Sequence, residues 1–268
     1  MHPKQVKLFE DEDDKLDFKV TFKISSVSEI PMEKLECRYH NHETSEFNQA
    51  CYEGNEAKVD RLLKVKDLDL KTFAECEMNG FMIACRKGFT EIVSLVLKYV
   101  AKMNNRENRD KLLDINGLGG RGMNLSGLTM AILEGHIEIV KMITQQEAFQ
   151  VDLNSVEGED GHSPFMYACK KGMKDIVKYL LQLAEFKTKE KFDLNRTDSY
   201  GNTAFHLACL NKKEDIVDLI IRSADKLKIE LDLKNDDGKT GYDLFPDNFE
   251  EDNTPGRPGP SKKLRLEA

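Results

Sequence analysis

Four residues of metal-binding type lie near one another in the chain: Cys37, His40, His42 and Cys51. Thiolate and imidazole are ligands that zinc prefers. Their spacing fits no closed zinc motif, and Cys51 has a second role, given below. Gly117-Leu118-Gly119-Gly120-Arg121-Gly122 is another candidate, since glycine-rich turns can cradle a phosphate with backbone N–H groups. No Gly-Lys-Ser/Thr follows it, and no parallel-sheet unit surrounds it, so the phosphate-loop pattern is incomplete. The six histidines are scattered and the carboxylates fall mostly on polar turns and helix surfaces. These residues point to no catalytic set, no metal and no cofactor.

The elements around them explain the pattern better. Gly201 to Ile221 reads GNTAFHLACLNKKEDIVDLII, and four earlier segments repeat it. The copies align on Ala50, Ala84, Ala131, Ala168 and Ala208, each with a valine nine positions on: Val59, Val93, Val140, Val177 and Val217. Gly54, Gly88, Gly135 and Gly172 stand four positions after the alanine, with Lys212 in the fifth copy. Ser45, Asn79, Ser126, Ser163 and Thr203 stand five before it, and Phe47, Phe81, Leu128, Phe165 and Phe205 three before it. Ser, Thr and Asn cap helix N-termini. The ring and the alanine then make a narrow apolar stripe, and glycine ends the helix in a left-handed turn. A second apolar stripe, such as Ile176, Val177, Leu180 and Leu181, makes a second helix. Two short helices cannot bury these faces alone, so the copies must stack. Cys51, Cys85, Cys169 and Cys209 all follow the aligned alanine, which makes them small buried hydrophobes and reduced thiols.

Thr203-Ala204-Phe205-His206-Leu207-Ala208 and Ser163-Pro164-Phe165-Met166-Tyr167-Ala168 resemble the T-P-L-H-x-A opening of the ankyrin repeat. A second mark recurs after the helix pairs, as in Leu113-Asp114-Ile115-Asn116, Val151-Asp152-Leu153-Asn154 and Phe192-Asp193-Leu194-Asn195. The resemblance covers roughly residues 45 to 245 and implies an all-α solenoid of stacked helix-turn-helix units with short finger turns: five repeats and a sixth, truncated by Pro246. It also implies a non-catalytic protein-interaction scaffold or adaptor, with a structural hydrogen-bonding role for His206. A narrower alternative is a regulator similar to the inhibitor-of-kappa-B proteins, which sequester a transcription factor. No Asp-Ser-Gly-x-x-Ser degradation motif accompanies it.

In that family partners touch the finger turns and the exposed positions of each first helix. Carried over, the helix positions are Tyr52, Arg86, Lys87, Leu133, Glu134, Lys170, Lys171, Leu210 and Asn211, and the finger positions include Met123, Leu125, Glu159, Asp160, His162 and Tyr200. Arg86, Lys87, Lys170 and Lys171 would form two basic patches beside the apolar Leu133. The expected partner is a protein with acidic residues around an apolar anchor, met by a monomer of this chain.

Three segments follow: an extension over 1–44, a repeat domain over 45–249 and a disordered tail over 250–268. In the extension Phe18, Val20, Phe22 and Ile24 alternate with Lys19, Thr21 and Lys23, a strand pattern that either packs on the array or docks a partner. In the tail Lys262, Lys263 and Arg265 resemble a nuclear-localisation cluster. The net charge of −8 argues against nucleic acid as a partner. No apolar run approaches the roughly 20 residues of a membrane span, and the start lacks a signal-peptide core, so the expected location is cytoplasmic, nuclear or both. Ala84 to Ala131 spans 47 positions against 34, 37 and 40 for the other intervals, which marks the largest insertion.

Overall fold

The structure is a computed structural model. It describes residues 46–102 apart from 66, 67, 69 and 75, residues 112–187 apart from 147, residues 192–245, and the backbone of 249–252 and 261–264. Phe18 to Ile24, Cys37, His40 and His42 lie outside the described residues.

Eleven helices occur among the described residues. They alternate as first and second members of a pair: α1 Glu46–Glu53, α2 Glu56–Leu62, α3 Gly80–Lys87, α4 Thr90–Ala101, α5 Gly127–Leu133, α6 Ile137–Thr144, α7 Pro164–Lys171, α8 Lys174–Ala184, α9 Ala204–Leu210, α10 Glu214–Leu227 and α11 Gly241–Leu244. The expected caps start the first helices. The side chains of Asn79, Ser126, Ser163, Thr203 and Thr240 each accept a hydrogen bond from the N–H three residues on. All five aligned valines are fully buried, as are the aligned alanines. The fold is thus the stacked all-α solenoid, with one continuous core running through the repeats.

Stacking rests on a matched pair of sizes. In three repeats the ring three before the alanine meets the first helical residue of the next repeat. A Cβ on Gly80 would stand 2.6 Å from the Phe47 ring and one on Gly127 2.9 Å from Phe81; Gly241 has the same relation to Phe205. Ala204 follows the repeat carrying Phe165, and Pro164, the bulkiest of the series, follows the one carrying the smaller Leu128.

The turn glycine does two things, seen best at Gly88. Its φ of 77° is left-handed, where a Cβ is costly. A Cβ there would also stand 2.5 Å from the His136 ring, which lies over it from the next repeat. Phe89 covers Gly54 and Lys213 covers Gly172 in the same manner. Lys212 holds a left-handed φ of 52° without the freedom of glycine.

The second family mark is a ladder. Asp114, Asp152 and Asp193 each accept a bond from the N–H two residues on, closing their own turns. Asn116, Asn154 and Asn195 reach the next repeat, accepting from the N–H of Asp152, Asp193 and Glu230 at 2.9, 2.7 and 2.8 Å.

In the tail two short strands occur among the described residues. β1 Phe249–Asp252 pairs antiparallel with β2 Ser261–Leu264, setting Glu250 opposite Lys263 and Glu251 opposite Lys262. Residues 253–260 and 265–268 lie outside the described residues.

Candidate partner-binding surface

The exposed positions of the first helices form the surface that the repeat offers. Each lies just before the turn glycine, so the cap and the turn fix where it points. The four cations expected to make free basic patches are mostly engaged. Lys87 Nζ sits 3.8 Å from the centroid of the Tyr52 ring in the preceding repeat, a cation–π contact. Arg86 Nε lies 3.7 Å from Glu134 Oε1 in the following repeat, with the arginine side chain only 13% exposed. Lys170 Nζ lies 3.5 Å from Asp160 Oδ2 of its own finger. Lys87 and Lys171 are exposed. Arg86 and Lys170 thus stand beside carboxylates of the protein itself. Leu133 and Tyr52 are half-buried, Glu134 and Asn211 are exposed, and Leu210 is 47% exposed.

Three finger residues expected at the surface are interior instead. Met123 and Leu125 are buried, Met123 beneath Gly120. His162 is buried as well, with Nε2 3.3 Å from Asp198 Oδ2 and its ring edge-on to Tyr167 at 5.1 Å. Burial alone would raise the Asp198 carboxyl. Hydrogen bonds from His162, from the N–H groups of Tyr200 and Asn202 and from the Asn202 side chain hold it below its ordinary value. Glu159 and Tyr200 remain exposed, and Tyr200 Oη reaches Asp160 Oδ1 at 3.5 Å.

The glycine-rich stretch is an enlarged finger. Four of its N–H groups are committed to backbone: Gly117 donates to Asp114 O, Gly119 to Leu125 O, Gly120 to Glu77 O and Arg121 to Cys76 O. Neighbouring fingers are tied by further backbone bonds, Gly158 N–H to Asn124 O, Ser199 N–H to Asp160 O and Asp236 N–H to Tyr200 O.

Sequence reasoning missed Glu157. Its side chain is buried and accepts from Ser126 N–H at 2.9 Å, Ser126 Oγ at 2.8 Å and Ser155 Oγ at 2.6 Å. One finger thereby fixes the cap of the preceding repeat. No signal in the sequence marks it, because the cap is 31 residues away. His206 behaves as the family opening implies. Its Nδ1 accepts from Thr203 N–H at 3.2 Å, so Nε2 carries the proton donated to Lys239 O at 3.0 Å in the next finger.

Cys51, Cys85, Cys169 and Cys209 are free and buried. Burial pushes the Cys51 and Cys209 thiols up to about 12, and the Cys85 and Cys169 thiols well above their ordinary value. Burial thus keeps these thiols protonated at neutral pH. No described helix is long and apolar enough to cross a membrane. Lys262 and Lys263 stand on β2, whereas Arg265 lies outside the described residues.

Comparison with known proteins agrees with this geometry. A family model of ankyrin repeats, in three copies, matches residues 47–154 and 128–235. Inversin of Danio rerio is 39% identical over 62 residues, which is 23% of this chain and 6% of Inversin. The match thus spans a small part of that relative. Among solved structures, a chain from the complex of the Bdellovibrio bacteriovorus predatory endopeptidase Bd0816 with the immunity protein Bd3460 superposes with a TM-score of 0.57. It is 20% identical, and the alignment covers 76% of this chain and 92% of that one, a likeness of fold.

Proposed function

Because the chain belongs to the ankyrin-repeat family, we propose that it is a non-catalytic protein-interaction scaffold or adaptor that binds its partner on the first-helix face. One observation carries this reading. Side chains of the first helices are joined across repeats, Lys87 onto Tyr52 and Arg86 onto Glu134, on the face that also carries the apolar Leu133 and Leu210. A surface held in one arrangement before binding loses less side-chain entropy when a partner arrives. Buried Met123, Leu125 and His162 support that surface from within.

The partner is a protein with an apolar anchor for Leu133 and Leu210. Its acidic residues would meet Lys87 and Lys171, the exposed two of the four first-helix cations. Opposed charge of this kind raises the association rate and weakens with salt. Affinity purification with the full chain tests the reading, run beside a variant carrying Leu133→Asp, Leu210→Asp, Lys87→Glu and Lys171→Glu. A partner held by the wild type and lost by a variant of similar thermal midpoint supports it. Equal recovery by both removes the first-helix face. A transcription factor as that partner would select the narrower, inhibitor-of-kappa-B-like role.

A further inference from the structure

The buried Glu157 is a latch with one end near the surface. It accepts three bonds from two serines. Ser126 supplies two of them, through its N–H and its Oγ. Ser126 is itself buried, and its Oγ accepts from Thr129 N–H to cap α5. Ser155 supplies the third and shortest, from Oγ to Oε1 at 2.6 Å. Ser155 is half-buried, and Val156 beside it is 54% exposed. A serine hydroxyl has one proton to donate, and here that proton holds the carboxylate that holds the cap. The sequence around Ser155 is acidic. Asp152 and Glu159 are exposed and Asp160 is half-buried, and no Lys or Arg occurs between Lys141 and Lys170. Such a segment suits an enzyme whose substrate cleft is basic, since opposed charge guides association.

We propose that Ser155 is a phosphorylation site for an acid-directed protein kinase, and that its phosphate releases the cap of α5. In the transfer, Ser155 Oγ bonds to the γ-phosphorus of ATP. The bond from that phosphorus to the bridging oxygen breaks, and ADP leaves with its electron pair. The hydroxyl proton passes to a base of the kinase. The esterified oxygen then has no proton to donate to Glu157. The phosphate also brings about −1.5 to −2 charges at neutral pH, and beside a carboxylate it disrupts by repulsion. Glu157 moves away, and Ser126 N–H and Oγ lose their acceptor. A buried donor left without a partner is costly, so the first turn of α5 loosens. That helix carries Leu133, so the modification reaches the first-helix face. The site and its effect on α5 stand whichever surface receives the partner.

The test incubates the folded full chain with ATP and purified casein kinases, which favour acidic sequences. Mass spectrometry should place a phosphate on Ser155. In the phosphorylated chain the amides of Ser126 and Thr129 should exchange at least about tenfold faster, as loss of bonds to a buried charged acceptor implies. Ser155→Asp should reproduce part of that change, and its neutral isostere Ser155→Asn much less. Ser155→Ala leaves both bonds from Ser126 to Glu157 in place, and the two amides should stay within about threefold of the wild type. If Ser155→Asp fails to fold, exchange in the enzymatically phosphorylated chain decides. Three outcomes overturn the proposal: no phosphate on Ser155, a phosphate there with unchanged exchange, or equal effects of Ser155→Asp and Ser155→Asn.

Discussion

At the scale of single residues, the repeat is a set of backbone and hydrogen-bond requirements met one side chain at a time. Lys212 is where one requirement is met poorly. It occupies the left-handed turn position that glycine fills in four other repeats, and it is exposed. Lys212→Gly should raise stability by on the order of 1 kcal/mol, the cost of a Cβ in that conformation less the entropy glycine loses. Urea unfolding measures it, and an unchanged or lower midpoint would show the turn to be unstrained. His206 gives a dependence on pH. Burial holds its imidazole below the ordinary value of 6.5, the opposing hydrogen bonds and the Asp198 charge notwithstanding. The unfolded chain therefore takes up a proton first as the pH falls. The stabilisation from neutral His206 is full above about 6.5 and is lost as the pH falls through its folded-state value. Met fills the same place in the second and fourth repeats. The stability advantage of the wild type over His206→Met should thus narrow between pH 7.5 and pH 5. A constant or widening difference would contradict a buried neutral imidazole.

At the scale of elements, local rules were legible and joined ones were not. The caps, the turn glycines and the valine spacing repeat at fixed offsets, and each answers to a nearby backbone group. Leu125 and His162 stand directly before the caps Ser126 and Ser163 and Met123 lies beneath Gly120, and no local spacing in the sequence marks them as interior. Glu157 and the pairing of Arg86 with Glu134 join different repeats, and nothing local foretells which charge on one repeat will meet which on the next. The tail poses a question of the same kind. The backbone register sets Lys262 and Lys263 opposite Glu251 and Glu250. A reporter fused to residues 246–268 should enter the nucleus if the cluster is read by an import receptor. Alanine at Lys262, Lys263 and Arg265 should then abolish entry, while Glu250→Ala with Glu251→Ala should increase it. A reporter that remains cytoplasmic in every version would leave the ribbon without a targeting role.

At the scale of the whole molecule, stability and surface come from the same inter-repeat contacts. A ring seated on a small first residue, an asparagine reaching forward and a finger bonded to its neighbour hold each repeat in register with the next. Solenoids of this kind behave as a chain of nearest-neighbour interfaces, so the exposed first-helix positions become one surface only when the stack is intact. The central claim is that this surface, not the second helices, receives the partner. Hydrogen exchange of the full chain, alone and saturated with the partner recovered by affinity purification, tests it most directly. The account predicts slowed exchange in α3, α5, α7 and α9 with α4, α6, α8 and α10 unchanged beyond general tightening. Protection confined to the second helices would contradict it.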